Sequence, residues 1–252
     1  MVHRTGQVVR RWIGGRAIAS IGVGAAVLAL GLSACSGSST ASTSEGGSAA
    51  STAHDVPDGT RLKAMLLTSA DIPHDFTEES IGAQNSGTSL SAAAATVNLD
   101  TADCNTVLNL INTVGQNGLG EASYASDAFT PPSGLGEFDE TLLEFYDAYA
   151  TTFTGKLGAA LTRCSSFQAS DASGATQSAT VKVVPGPKLG DESVGFTVTV
   201  AIGGQTMVMN GAAVRIGTAV MVVDNSLLQG QATEIDLPKL AGILAQRVRT
   251  LH

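Results

Sequence analysis

The clearest pattern along the chain is an alternation. Val194, Phe196, Val198, Val200 and Ile202 take every second position, with polar or small residues between them. A period of two predicts a strand with one buried face. Ala179, Val181 and Val183 repeat the pattern upstream. Gly203-Gly204 predicts a tight hairpin into a second strand, about Gln205 to Ile216, and Gly217 a turn into a third, Thr218 to Asp224. Glu121–Phe129 and Glu137–Tyr146 also read as strands, joined through the turn Pro131-Pro132-Ser133-Gly134.

Elsewhere the period lengthens to that of a helix. Asp58–Ser69 places Leu62, Met65 and Leu66 on one side and ends at Ala70-Asp71-Ile72-Pro73. Phe76–Ser80 reads as a short strand, and Ile81–Thr96, rich in Ala, Ser and Gly, as a loop. Asp100 or Thr101 is expected to cap a second helix to about Thr113, with Cys104, Val107, Leu108 and Ile111 on its inner face. Asp147 is expected to cap a third, to Arg163, with the stripe Ala150, Phe153, Leu157, Ala160 or Leu161, then Cys164. The last helix has Asp236 as cap and Pro238 in its first turn. Its inner stripe is Leu237, Leu240, Ala241, Leu244 and Val248, and Arg247 and Arg249 suit the dipole at its C-terminal end. Residues 56–252 therefore read as one α+β domain.

The N-terminus follows a different pattern. Arg4, Arg10, Arg11 and Arg16 precede an uncharged run from Ala17 to Leu32, which is short for a membrane-spanning helix. The run ends in Leu32-Ser33-Ala34-Cys35, an order that resembles the bacterial lipobox: an aliphatic residue, two small residues, then cysteine. The resemblance implies that residues 1–34 are a lipoprotein signal peptide. It also implies that the Cys35 thiol carries a diacylglycerol anchor, so that the membrane is a partner through that lipid. A plain secretory signal and an N-terminal membrane helix are the alternatives. Arg10-Arg11 raises twin-arginine export, though the flanking residues fit it poorly. Residues 35–55 are dominated by Ser, Thr, Gly and Ala and are expected to form a flexible tether, because they bury too little apolar surface to offset chain entropy. The expected location is the outer face of the cell membrane.

This division changes the meaning of the charge. The whole chain has a formal charge of −8, yet all four basic residues of the first 34 belong to the signal. From Cys35 onward, ten basic residues face 22 acidic ones, a formal charge of −12. A nucleic acid is thereby excluded as a partner, since phosphate binding runs on Lys and Arg.

With Cys35 acylated, Cys104 and Cys164 remain as an even pair in an oxidising compartment. Each falls on the apolar side of its own helix, which fits a disulfide between the two helices. Two buried free thiols or a metal pair are the alternatives. A metal would need further ligands, and His54, His74 and His252 have no ligand-like spacing. No metal site and no cofactor are expected.

Catalytic motifs are missing. The chain has no G-x-S-x-G, no H-E-x-x-H, no P-loop lysine motif and no EF-hand loop. His74 beside Asp75 reads as a solvated loop histidine rather than a base with its orienter. Glu137, Asp139, Glu140, Glu144 and Asp147 place five carboxylates in eleven residues; a solvated face is the expectation, with a cation site or an acid/base pair as the functional alternative. Lys188 and Asp191, in Gly186–Glu192, fit a surface turn as well as a ligand site. Met207 and Met209 fit core better than a ligand groove. No catalytic residue and no ligand-binding residue can be named, and the chain is not expected to be an enzyme.

Several segments together resemble the PknH-like extracellular sensor domains of actinobacterial Ser/Thr kinases and of small lipoproteins. Leu66-Leu67-Thr68-Ser69-Ala70-Asp71-Ile72-Pro73 resembles the opening helix of that family, and Ala102-Asp103-Cys104 its cysteine at the second helix. K-L-G-A-A-L-T-R-C-S-S-F, ending at Phe167, resembles its helix-C-x-x-F segment, and Leu189-Gly190-Asp191-Glu192-Ser193 the approach to its hairpins. The similarity spans about Leu62 to Leu251. It implies a twisted antiparallel sheet flanked by helices and a cleft able to take a ligand, and it does not imply an enzyme. The kinase sensors of the family have two disulfides, whereas this chain has cysteines for one beyond Cys35. It shows no kinase motif, so sensing is expected to need a separate partner.

The leading functional expectation is a lipid-anchored envelope protein. Its non-catalytic, sensor-like domain would bind a small envelope molecule or an envelope protein. A lipid or glycolipid carrier or scaffold comes second and requires an internal apolar cavity of several hundred Å³. An envelope hydrolase comes third and requires convergent acid and base groups.

Overall fold

A computed structural model describes residues 56–80, 82–85, 97–112, 119–146, 149–170, 176–202, 204–231 and 235–251. The expected signal 1–34, Cys35, the tether to residue 55, Asp147 as a cap, and most of the expected loop Ile81–Thr96 lie outside the described residues.

The strands are β1 (Thr77–Glu78), β2 (Gly82–Asn85), β3 (Ser123–Thr130), β4 (Glu137–Glu144), β5 (Ser166–Ser170), β6 (Thr176–Pro185), β7 (Glu192–Ile202), β8 (Gln205–Ile216) and β9 (Ala219–Leu228). The helices are α1 (Gly59–Lys63), α2 (Cys104–Asn112), α3 (Tyr149–Arg163) and α4 (Leu237–Val248), and a 3-10 turn follows at Arg249–Leu251. All nine strands join one antiparallel sheet in the order β1-β3-β4-β9-β8-β7-β6-β5, with β2 also paired to β3. The fold is α+β. Among the described residues, no helix is long and apolar enough to cross a membrane.

Strand periodicity decides which residues meet which helix. On one face, Val194, Phe196, Val198 and Val200 of β7 join Ala179 and Val181 of β6 and Met209 and Ala213 of β8. The α3 stripe of Ala150, Phe153, Leu157, Ala160 and Leu161 packs against them, and α2 contributes Val107, Leu110 and Ile111. On the other face, Ala212, Val214 and Ile216 of β8, Met221 and Val223 of β9, and Phe138 and Leu142 of β4 meet Leu240, Ala241, Leu244, Ala245 and Val248 of α4. Central β9 is buried on both faces from Ala219 to Ser226, so Ala219–Val223 reads as a continuous apolar run rather than an alternation, followed by the buried polar residues Asp224, Asn225 and Ser226. At the other extreme, β6 alternates because its outer face, with Ser178, Thr180 and Lys182, is exposed.

Two glycines make this arrangement possible. Gly217 has φ of 62°, so the β8–β9 hairpin closes with Ile216 paired directly to Ala219. Gly211 lies opposite both Phe196 and Asp224, and a Cβ there would strike the Phe196 ring and come within 2.9 Å of the Asp224 Cβ. Gly211→Ala is expected to destabilise the domain by about 2 kcal/mol, lowering Tm by roughly 5 °C, because the crowding falls on a packed core. Gly242→Ala is the control. Outside the helix's own local backbone and its chain neighbours, nothing lies within 4 Å of its Cβ position in α4, so it is expected to leave Tm unchanged or raise it. Equal losses at both sites in a thermal melt would show that the Phe196 contact is not the cause.

Several elements differ from the sequence expectation, each for a visible reason. Helix α1 ends at Lys63 instead of Ser69: the Met65 and Leu66 N–H groups close tighter turns onto Leu62 and Lys63, and beyond them the Leu67 N–H and the Leu66 carbonyl bond to Glu140 and Arg247 of the body. Helix α2 starts at Cys104, and its cap is Asp103, which accepts from the Thr106 N–H (2.9 Å) and hydroxyl (3.1 Å). Asp100 is instead drawn to Lys156 of α3 at 3.1 Å. Strand β2 occupies part of the expected loop, β5 is an additional edge strand, and β9 continues past Asp224 to Leu228.

Cys104 and Cys164 form a disulfide joining the start of α2 to the residue after α3, with their Cα atoms 5.4 Å apart. The same junction is held by the Arg163 guanidinium, which donates to the Leu99 carbonyl at 2.5 Å, and by Asn105 Nδ2, which donates to the carbonyl of Gln168 on edge strand β5 at 3.4 Å.

Candidate functional site

The chemically unusual part of the domain is the centre of the sheet, where carboxyl groups occupy inward-facing strand positions. Glu140 has the same parity on β4 as Phe138 and Leu142, and Asp127 the same parity on β3 as Ala125 and Phe129. The two acids are direct partners in the β3–β4 ladder. Glu140 is 1% exposed and Asp127 3%. The Leu67 N–H donates to Glu140 Oε1 at 2.8 Å, while the buried Oε2 has no hydrogen-bond partner. Burial pushes the Glu140 carboxyl up to about 8; Asp127 and Asp71 add to the shift, and the Leu67 N–H and Arg247 oppose it. Burial likewise raises Asp127, to about 6, with help from Glu78, whose carboxyl hydrogen-bonds to it. Burial thus favours the neutral carboxylic acid form of Glu140 inside the core.

Asp71 and Arg247 flank this pair. Arg247 Nη2 reaches both Asp71 carboxylate oxygens at 2.9 Å, and its Nη1 donates to the Leu66 carbonyl at 2.6 Å. Burial alone would raise Asp71, but hydrogen bonds from Thr68 and the ion pair with Arg247 outweigh it and hold this carboxyl below the usual range.

A second group of acids occupies the opposite face. Asp224 on β9 pairs across the ladder with Asp139 on β4, and Glu137 pairs with Ser226. Asp224 is buried, and desolvation reinforced by Glu137 raises its pKa. The hydroxyls of Ser126 and Thr141 share a hydrogen bond of 2.9 Å on the same face. Glu144, at the end of β4 on the same face as Glu140, is also buried and raised to about 7 by desolvation, with a hydrogen bond to Thr218 and the charge of Arg61 opposing.

The expectation of a solvated carboxylate face on Glu137–Glu144 is therefore corrected. Glu140 and Glu144 are buried, and alternation sends Asp139 and Glu140 to opposite faces of the sheet. The run does not converge on one substrate. Among the described residues, no group of three or more His, Cys, Asp or Glu side chains is placed to hold a metal ion.

The other residues singled out from sequence take structural positions. His74 and Asp75 are both exposed. Met207 and Met209 are both 3% exposed, on the same side of β8. Asp191 receives Arg215 Nη1 at 3.0 Å and the Gly217 N–H at 2.8 Å, so it staples the β8–β9 turn. Lys188 lies in the exposed turn before β7, beside Leu189, whose carbonyl accepts from the Arg249 guanidinium.

No protein-family model matches the sequence, and no curated protein matches it. Among solved structures, the extracellular domain of PknH from Mycobacterium tuberculosis is similar, with a TM-score of 0.51 and 14% identity over 79% of this chain and 98% of that one. An uncharacterised protein from Mycobacterium smegmatis gives a TM-score of 0.39 and 13% identity over 77% of this chain and 98% of that one. The antiparallel sheet with helices on both faces is thus a fold like that of the PknH extracellular domain.

Proposed function

We propose that this chain is an envelope lipoprotein, anchored through a lipid on Cys35. Its domain, residues 56–252, is a non-catalytic, sensor-like module on the outer face of the membrane that binds a small envelope molecule or a protein partner. The observation that carries the reading is the likeness of the fold to an extracellular domain. The arginine-rich leader, the L-S-A-C sequence and the Cys104–Cys164 disulfide support an exported protein. The division of the acids between two faces supports a binding module over a hydrolase. The carrier reading draws less support, since Phe129, Phe138, Phe145, Phe153 and Phe196 fill both sides of the sheet.

The test has two arms. Intact-mass measurement and membrane fractionation of the chain produced in an actinobacterial host are expected to show acylated Cys35, and Cys35→Ala to release the protein from the membrane. Native mass spectrometry and thermal shift against cell-wall fragments and envelope lipids, with pull-down from the envelope, are expected to identify a ligand. Absence of any binder in all three measurements sinks the sensor reading, and an unmodified Cys35 sinks the anchor.

A further inference from the structure

The segment Pro57–Ile72 crosses the face of the sheet that carries Glu140, and the way it is held differs from the rest of the domain. Its backbone hydrogen bonds are local turns: Leu62 to Asp58, Met65 to Leu62, Leu66 to Lys63 and Asp71 to Thr68. The ties to the body that involve its backbone run instead through body side chains. The Ser123 hydroxyl donates to the Pro57 carbonyl (2.6 Å), the Gly59 N–H donates to Asn85 Oδ1 (2.6 Å), the Leu67 N–H to Glu140 Oε1 (2.8 Å), and Arg247 to the Leu66 carbonyl (2.6 Å). Leu62, Leu66, Leu67 and Ile72 then pack onto the sheet. A strap tied by individual side chains can open without breaking a strand ladder.

We propose that this strap is a pH-sensitive latch, closed while Glu140 is protonated and released when Glu140 ionises beneath it. Neither protonation state is fully satisfied in the closed form. The acid leaves Oε2 buried without a partner, and the anion would place a charge at a site 1% exposed. Lifting Leu67 hydrates the carboxylate, so ionisation favours the open form. Asp127, the ladder partner of Glu140, hydrogen-bonds to exposed Glu78, so the acid group extends from the core to solvent. The charged groups around the pair are Asp127 from β3, Glu78 from β1, Lys63 from α1, Asp71 from the strap and Arg247 from α4. Lys63 and Arg247 moderate the charge but do not neutralise it: Arg247 is committed to Asp71, and the Lys63 ammonium donates to the Ser80 hydroxyl at 3.0 Å. The strap is also where the domain meets the preceding chain, so its release would lengthen the connection to that chain.

The test is amide hydrogen exchange of the full chain between pH 5.5 and 9, corrected for the intrinsic pH dependence of exchange. Opening coupled to loss of one proton predicts that protection of the Leu66 and Leu67 amides falls about tenfold per pH unit between pH 5.5 and 8, then levels off. The β7 and β8 amides exchange through opening of the whole domain, which also frees Glu140, so they are expected to remain more protected than the strap at every pH. In Glu140→Gln, the strap is expected to stay protected across the range. Strap protection independent of pH in the wild-type chain overturns the latch. So does strap protection equal to that of β7 and β8 at every pH, which would mean that the domain opens as one unit. A folded Glu140→Gln variant that retains the wild-type pH dependence assigns the proton elsewhere and also overturns it. The wild-type series decides the question even if the variant does not fold.

Discussion

Removing the disulfide by Cys104→Ala with Cys164→Ala is expected to lower the stability of the domain by about 4 kcal/mol, or Tm by roughly 10 °C. The magnitude comes from the loop that the bond closes, 60 residues in sequence, whose ends become free to separate in the unfolded chain. Alanine is the appropriate replacement because Cys164 is 2% exposed and a serine hydroxyl would be buried there. The loss should also be local. Helix α2 has nine residues, too few to persist alone in water, and it is held by its packing on α3, the disulfide and the Arg163 and Asn105 bonds. Exchange of the Cys104–Asn112 amides is therefore expected to rise more than that of α4, on the other face. A Tm change under 2 °C with α2 still protected would mean that Val107, Leu110 and Ile111 hold the helix unaided.

What the sequence made legible follows from how each element is buried. Strand β7 and helix α3 each bury one face, so their periods of two and 3.6 stand out, and both were readable from spacing. Strand β5 was not, because S-F-Q-A-S turns only Phe167 and Ala169 inward and the rest is polar. The cap of α2 was expected at Asp100 or Thr101 but is Asp103, which accepts from the Thr106 N–H, while Asp100 pairs with Lys156. Helix α1 was over-extended because local pattern cannot foresee that Glu140 and Arg247 claim the backbone of Leu66 and Leu67. The buried acids left a signal that was available. Glu140 shares parity with Phe138 and Leu142, Asp127 with Ala125 and Phe129, and Asp224 with Val220 and Val222. A carboxylate at an inward strand position carries more information than the density of acids in the run, which suggested a solvated face.

Those same acids give the second large effect, a stability that falls as pH rises. Each is easier to protonate in the folded chain than in the unfolded one: Asp127 at about 6, Glu144 at about 7, Glu140 at about 8, and Asp224 also raised. Above their ordinary range the unfolded chain has released protons that the folded chain still holds, so each pH unit favours unfolding until the folded value is passed. The contribution of each group is complete below about pH 4 and is lost progressively through its folded pKa. For Glu140 alone the loss between pH 5 and 8.5 is on the order of 4 kcal/mol. Even a fraction of the combined loss is large beside the 5–15 kcal/mol typical of a whole domain. At the acid end the sign reverses. Hydrogen bonds from the Thr106 backbone and hydroxyl lower Asp103, and Thr68 and Arg247 lower Asp71, so protonating those two costs stability below about pH 4. Thermal melts across the range are therefore expected to show a maximum near pH 5 and a fall of 10 °C or more by pH 8.5. Glu140→Gln should raise Tm at pH 8.5 and change it little at pH 5, since the amide keeps the acceptor for Leu67 and carries no ionisable proton. A Tm that is flat or rising from pH 5 to 8.5 would mean that water reaches these carboxyls in the folded chain, and the core would then have to be more open at β3, β4 and β9 than the burial of Phe129, Phe138 and Leu142 allows.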